Sequence, residues 1–294
     1  PGPAELIVDL KGSSEQGSDP TAPGVHQRPV QDRRREEGSP VSTSNAERWV
    51  DLAEVDNVRD LGGLPLSDGG CTRRGVVFRA STLQEATEAD VAQLVGIRRL
   101  RTIVDLRLPA EAAREGHGLL GTQDVEVVNL PVRKGESTLL DVVVPDSRTT
   151  DLGLLYQQLL VGSAPSIVTA ARLIGDPARH GVVFHCAAGK DRTGVLAAVL
   201  LDAVGVLAEA IIDDYVMTAE RQHRVRERLV RIPAYRNLPA VAQGVMAVDG
   251  VGFARFVEWL QADAGGGARF LLDHGLTGDE LALLRTALRD EPGV

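Results

Sequence analysis

The chain has 294 residues, 43% of them apolar and 25% charged, and carries a formal net charge of −9, which suits one large domain with a substantial core. The acidic balance argues against general nucleic-acid binding, and no apolar run approaches the roughly 18 residues of a membrane span, so stable membrane insertion is not expected. Two cysteines do not make a disulfide scaffold and fit a reducing compartment, so a cytoplasmic location is expected, with export left open because the chain starts at Pro1.

Residues 11 to about 46 are rich in Ser, Pro, Gly, Gln and charge, with the run Arg33-Arg34-Arg35-Glu36-Glu37. Such a composition cannot bury enough apolar surface to order itself. Residues 1–46 are therefore expected to be a disordered tail and residues 47–294 one folded domain. From residue 47 short apolar runs alternate with helical stretches, the pattern of α/β architecture. Strands are expected at 75–79, 102–106, 125–129 and 182–185. Thr87 with Asp90, and Thr277 with Glu280, have the spacing of capping boxes. A helix near 165–174 should stop at Gly175, with Pro177 just beyond. Over 219–246, Val225, Leu229 and Ile232 recur at helical spacing among Arg221, Arg224, Arg226, Arg228 and Arg231. That is a basic amphipathic helix, with cations that would draw anionic headgroups or phosphopeptides.

The densest chemistry lies in His185-Cys186-Ala187-Ala188-Gly189-Lys190-Asp191-Arg192-Thr193-Gly194, between the apolar runs Val182-Val183-Phe184 and Val195 to Leu201. A thiol acts as a nucleophile in its thiolate form, and a helix N-terminus favours negative charge on Cys186. The same unpaired N–H groups suit a phosphate, and Ala187, Ala188 and Gly189 are small enough for the loop to curl around it. Arg192 follows Cys186 after five intervening residues, and its planar fork would pair with two phosphoryl oxygens. Cys71 has no such partner, because Val77 stands where the arginine would be. A nucleotide P-loop is excluded, since Asp191 rather than Ser or Thr follows Gly189-Lys190, and no G-x-S-x-G elbow is present.

With this loop the chain resembles the protein tyrosine phosphatase superfamily, and within it the bacterial atypical enzymes whose loop reads H-C-x-x-G-K-D-R-T-G. Asn57-Val58-Arg59-Asp60-Leu61-Gly62-Gly63, Val77-Phe78-Arg79-Ala80-Ser81 and Ile103-Val104-Asp105-Leu106-Arg107 are similar to that family's upstream blocks, and weaker similarity continues from Asp214-Tyr215 to Gly275-Leu276-Thr277. The resemblance implies a cysteine-phosphatase fold, a central mostly parallel sheet flanked by helices, with residues 219–246 as a helical lid. It also implies hydrolysis of phosphate monoesters through a phosphocysteine. Protein phosphotyrosine is the first expectation, with phosphoserine and phosphothreonine beside it. A phosphoinositide phosphatase is the alternative, and a noncatalytic phosphate-binding module the alternative of another class.

The expected catalytic residues are Cys186, Arg192 and a general acid, for which Asp105 and Asp191 stand level. Asp105 would reach the same sheet edge as Cys186, while Asp191 lies inside the cradle. Substrate contacts are expected from Ala187, Ala188, Gly189, Lys190, Thr193, Arg59 and Arg107. Only 3 lysines stand against 29 arginines, which draws attention to Lys190. His185 should support the loop rather than act as a base. No metal or other cofactor is expected, since the remaining histidines lack ligand spacing. The expected partner is a phosphorylated protein or phosphoinositide, and the oligomeric state is open.

Overall fold

The computed structural model describes residues 45–133, 151–238 and 247–290; the expected tail lies outside them up to residue 44. Its strands in chain order are β1 (Arg59–Asp60), β2 (Cys71–Thr72), β3 (Val77–Ala80), β4 (Thr102–Asp105), β5 (Glu126–Asn129), β6 (Val182–His185) and β7 (Arg289–Asp290). Five of them form one sheet in the order β1-β3-β6-β4-β5, and β2 pairs with β7 apart from it. Neighbours among β3, β6, β4 and β5 run parallel, with β1 antiparallel at one edge. The α/β architecture is thus what the apolar runs foretold, and the mostly parallel sheet is what the resemblance implied.

The Val182-Val183-Phe184 run makes β6 the central strand, since a parallel strand covered on both faces can be apolar throughout. Side chains alternate between those faces. Val77, Val104, Val182 and Phe184 join one core with the C-terminal helices. Phe78, Ile103 and Val183 join the other with Val50, Val58 and Leu94. Register aligns Ala80, Asp105 and His185 at one sheet edge, with Asn129 beside Asp105. The loop after β6 therefore opens where open α/β sheets place their ligands.

Helices α1 (Glu88–Val91) and α2 (Pro109–Glu115) follow β3 and β4; α3 (Leu152–Gly162) and α4 (Ala164–Gly175) precede β6. After the loop come α5 (Asp191–Ala203), α6 (Ala208–Val216), α7 (Thr218–Leu229), α8 (Gly250–Ala262), α9 (Gly267–Asp273) and α10 (Gly278–Leu288). Both capping boxes form, at Thr87/Asp90 and Thr277/Glu280, and α4 stops at Gly175. Helix α5 is buried along nearly its whole length. Gly194 lets it approach α6 and α8, because a Cβ there would sit 3.2 Å from Tyr215 and 3.3 Å from Phe253. Among the described residues no helix is long and apolar enough to cross a membrane.

Candidate active site

Cys186 follows β6 directly, and the chain from Ala187 to Lys190 turns back into α5. The outer side of this turn is tied down carbonyl by carbonyl. The Thr82 amide donates to Ala187 O at 2.9 Å. Asn57 Nδ2 donates to Ala188 O at 3.1 Å and Gly189 O at 3.0 Å. Arg79 donates to Gly189 O at 2.9 Å and Lys190 O at 3.3 Å. In a trans peptide the N–H points opposite to the preceding C=O, so fixing four carbonyls outward turns the N–H groups of residues 188–191 inward. Those N–H groups and the N-terminus of α5 make an anion cradle around the position of the Cys186 sulfur. Gly189 is required here: its φ is +68°, and a Cβ would lie 2.4 Å from Ala80 O.

Arg192 is 4% exposed and Cys186 3% exposed. The two terminal nitrogens of Arg192 donate to Glu111 at 2.6 and 3.2 Å. Burial alone would lower the Arg192 pKa, but the neighbouring Cys186 sulfur and the Glu111 carboxylate hold it above its ordinary value. Burial would likewise raise Glu111, yet Arg192 and the Tyr235 hydroxyl keep it below the ordinary carboxylate range. Two of the five guanidinium N–H groups serve Glu111, which leaves three for a ligand. Glu111 sits in the first turn of α2 and was not among the sequence candidates. Its only signal was an acid behind Pro109 at a helix start.

The two acid candidates are placed very differently. Asp105 is fully buried. Its carboxylate accepts from the Arg107 side chain at 2.8, 3.0 and 3.1 Å and from the Arg107 amide at 2.9 Å, with His117 Nε2 at 3.0 Å. Burial pushes it up, but His185, His117 and Arg107 outweigh this and hold it well below its usual value. Asp191 is 30% exposed at the start of α5. The Tyr156 hydroxyl donates to it at 2.8 Å and accepts from Tyr215 at 2.8 Å. Geometry thus separates two groups that the sequence left level: one is a sealed carboxylate, the other is partly exposed at the start of the helix that follows the loop.

The remaining expected site residues divide. Ala187, Ala188, Gly189 and Lys190 form the loop, and Lys190 Nζ donates to Ala247 O at 2.7 Å and lies 3.5 Å from Asp191. Thr193 Oγ1 is buried on α5 without a hydrogen-bond partner. Arg59 and Arg107 do not reach the cradle, because each is buried on partners of its own. Arg59 binds Asp214 at 3.1 Å and Asn57 Oδ1 at 2.5 Å. Arg48 and Arg79 share the same Asp214. Burial would raise this aspartate, but the three guanidinium groups keep it ionised far below its ordinary value. Burial, with Arg79 close by, lowers Arg59 to about 9. The cluster underlies the loop through Asn57 and Arg79, so its contact with the cradle is mechanical and electrostatic. Sequence reading could not assemble it, since its members come from four separate segments.

His185 Nδ1 lies 3.2 Å from Cys186 O. Burial lowers its pKa to about 4, so it is a neutral donor at pH 7. Ligand atoms of Asp105, His117 and His185 fall within 4.8 Å of one another. The Arg107 guanidinium already lies against both Asp105 oxygens, and a cation there would meet a fixed positive charge. Helix α7 and the turn after it carry the expected arginines, but they are not free cations. Arg221 pairs with Asp51, Arg224 with Asp56, Arg228 with Glu54 and Asp56, and Arg231 with Glu54 and Glu85. The apolar side of α7 and the turn after it, Val225, Leu229, Ile232, Tyr235 and Leu238, packs with Ala187 of the loop. Residues 239–246 of the expected lid lie outside the described residues.

Residues 50–290 match the tyrosine phosphatase family. Over 209 residues the chain is 30% identical to a protein named as a tyrosine-protein phosphatase in Cupriavidus necator, covering 66% of this chain and 72% of that one. It is 31% identical over 144 residues to a tyrosine-protein phosphatase of Nostoc commune, covering 48% of this chain and 47% of the relative. It is also 31% identical over 192 residues to the triple specificity protein phosphatase PtpB of Mycobacterium tuberculosis, covering 53% of this chain and 66% of the relative.

Proposed function

Because the chain belongs to the tyrosine phosphatase family, and is therefore a cysteine-dependent phosphatase acting on phosphotyrosine or related substrates, we propose that its reaction runs through Cys186, Arg192 and Asp191. The observation that carries this reading is the cradle itself. Four outward-tied carbonyls turn the N–H groups of residues 188–191 inward, at the start of α5 and beside a guanidinium that Glu111 fixes near Cys186.

In the first step the Cys186 thiolate attacks phosphorus and an S–P bond forms. The P–O bond to the leaving group breaks as Asp191 gives its proton to the departing oxygen. The inward N–H groups and Arg192 take the charge of the phosphoryl oxygens as the centre becomes trigonal bipyramidal. In the second step water attacks phosphorus, Asp191 takes the water's proton, and the electron pair of the S–P bond returns to sulfur. Asp191 suits this part because it is accessible and oriented by Tyr156. Asp105 is better suited to holding Arg107 and the β4 end, since a sealed carboxylate bonded to a guanidinium has no proton to give at neutral pH. Lys190 steadies Asp191, and Arg59 and Arg107 are assigned as supports of the cradle rather than substrate contacts.

With Cys186 and Arg192 nearly inaccessible, a substrate enters only if the packing of α7 on Ala187 opens. That supports reading the described part of 219–246 as a lid in its closed position. Tyr235, on the turn beyond α7, donates to Glu111 at 2.7 Å, so closure and the placement of Arg192 share one carboxylate. The need for a free thiolate supports action in a reducing compartment such as the cytoplasm. Protein phosphotyrosine is the primary substrate in this reading, with phosphoserine, phosphothreonine and phosphoinositides beside it; the triple specificity in the name of the Mycobacterium tuberculosis relative supports a range wider than one substrate class.

Phosphate release from phosphotyrosine and phosphothreonine peptides and from phosphoinositides, in chelator, ranks these substrates. Release abolished in Cys186→Ser is the expected result. Metal-dependent release that survives Cys186→Ser would overturn the assignment.

A further inference from the structure

A second basic site lies at the opposite end of the sheet. A pocket of about 420 Å³ is lined by Arg98, Arg99, Arg101 and His180, together with Phe78 and Ile97. It sits where β4 and β6 begin, at Thr102 and Val182. The Cys186 loop lies beyond the other ends of these strands, about 13 Å away at about 3.3 Å per residue.

The charge here is uncompensated. Arg98, Arg99 and Arg101 form no ion pair among the described residues, whereas Arg179 nearby pairs with Glu126 and with Asp176. Two buried polar atoms without partners, Arg98 Nε and His180 Nε2, belong to the lining of this one pocket. Arg99 has a φ of +56°, a backbone that Gly or Asn adopts at less cost. In a chain with a net charge of −9 the overall field repels anions, so attraction has to be local. Ile97 stands 74% exposed on the rim.

We propose that this pocket binds the phosphate group of a phosphate ester, separately from the site at Cys186. Guanidinium forks match phosphate oxygens in geometry as well as charge, and three of them beside an imidazole can surround a dianion. A carboxylate ligand, with two oxygens and one charge, would leave part of this donor set unused. The ester comes either as a soluble phosphate or as a lipid headgroup, with Ile97 entering the apolar layer in the second case.

Isothermal titration of the Cys186→Ser protein with inositol trisphosphate tests the proposal, since that variant cannot turn the probe over. Two equivalents should bind. Arg99→Gln/Arg101→Gln, at two exposed positions, should weaken one of them by about tenfold or more, as expected for lost charge-assisted bonds, and leave the other intact. In the active background this double variant should hydrolyse para-nitrophenyl phosphate at the unaltered rate, which also shows that it folds. A single equivalent that the double variant leaves unchanged, or two unchanged equivalents in the double variant, overturns the proposal, whereas a single equivalent lost in the double variant places the trisphosphate in this pocket alone. Sedimentation with phosphatidylcholine vesicles containing phosphatidylinositol bisphosphate identifies the source. Binding lost in both Ile97→Ser and Arg99→Gln/Arg101→Gln marks a headgroup site. Vesicle binding unaffected by Ile97→Ser, with the trisphosphate site present, marks a site for the soluble ester.

Discussion

Replacing Glu111 by Gln tests whether Arg192 owes its position to a carboxylate. Glu111 is fully buried and accepts four hydrogen bonds: two from Arg192 at 2.6 and 3.2 Å, one from Tyr235 at 2.7 Å and one from the Leu108 amide at 2.7 Å. Glutamine keeps the shape and one acceptor oxygen, but sets an NH₂ group where the second oxygen stood, so donor faces donor. A hydrogen bond to a charged group contributes about 1.5–3 kcal/mol. Losing one, and leaving the guanidinium without its counter-charge, amounts to about 3 kcal/mol of positioning energy. At about 1.4 kcal/mol per tenfold, kcat should fall about 100-fold. KM should change far less, because Arg192 matters most as charge redistributes in the transition state. Steady-state kinetics with para-nitrophenyl phosphate, beside a thermal melt to establish folding, reads both quantities. A folded Glu111→Gln with kcat within about threefold of the parent would refute the reasoning.

The other predictions separate the parts of the site. Asp191→Asn should remove the basic limb of the pH–rate profile, whereas Asp105→Asn should keep that limb and lower the melting temperature; the reverse pattern would make Asp105 the acid. Gly189→Ala should lower kcat at least about 100-fold, because its Cβ would meet Ala80 O at 2.4 Å and a shift of about 1 Å in the loop misplaces every donor. Asp105 and Asp214 are both held below their ordinary value of 3.8. The stability they contribute is therefore complete above that value and lost as pH falls through their folded values. Melting temperature should decline steadily below about pH 4, and less steeply in Asp214→Asn; equal slopes would contradict the depressed Asp214.

Much of this site is written contiguously and so could be read from the sequence. Cys186 to Arg192 form one stretch, and the strand before it and helix after it follow from apolar runs on either side. The alternation of strands and helices, both capping boxes and the Gly175 stop are likewise local signals. What escaped is what the fold alone brings together. Glu111 meets Arg192 from a helix in another β–α unit, and its sequence looks like any acid in a first helical turn. Arg59 reads as a substrate-binding cation until Asp214, Asn57 and Thr218 are seen around it. The arginines of α7 read as a free basic face. Their partners Asp51, Glu54, Asp56 and Glu85 come from distant segments, so pairing could not be inferred from helical periodicity. Asp105 and Asp191 looked equivalent because sequence carries no burial, and burial is what separates them.

The central claim is that the reaction passes through a phosphoryl group on Cys186. Asp191→Asn should slow release of that group while leaving its formation fast from para-nitrophenyl phosphate, whose leaving group needs no acid. A rapid-quench experiment on this variant should show a burst of one nitrophenol per protein. Mass spectrometry of the quenched sample should find the phosphoryl group on the peptide containing Cys186. A phosphoryl group on any other residue, or a burst that survives Cys186→Ser, would contradict the account.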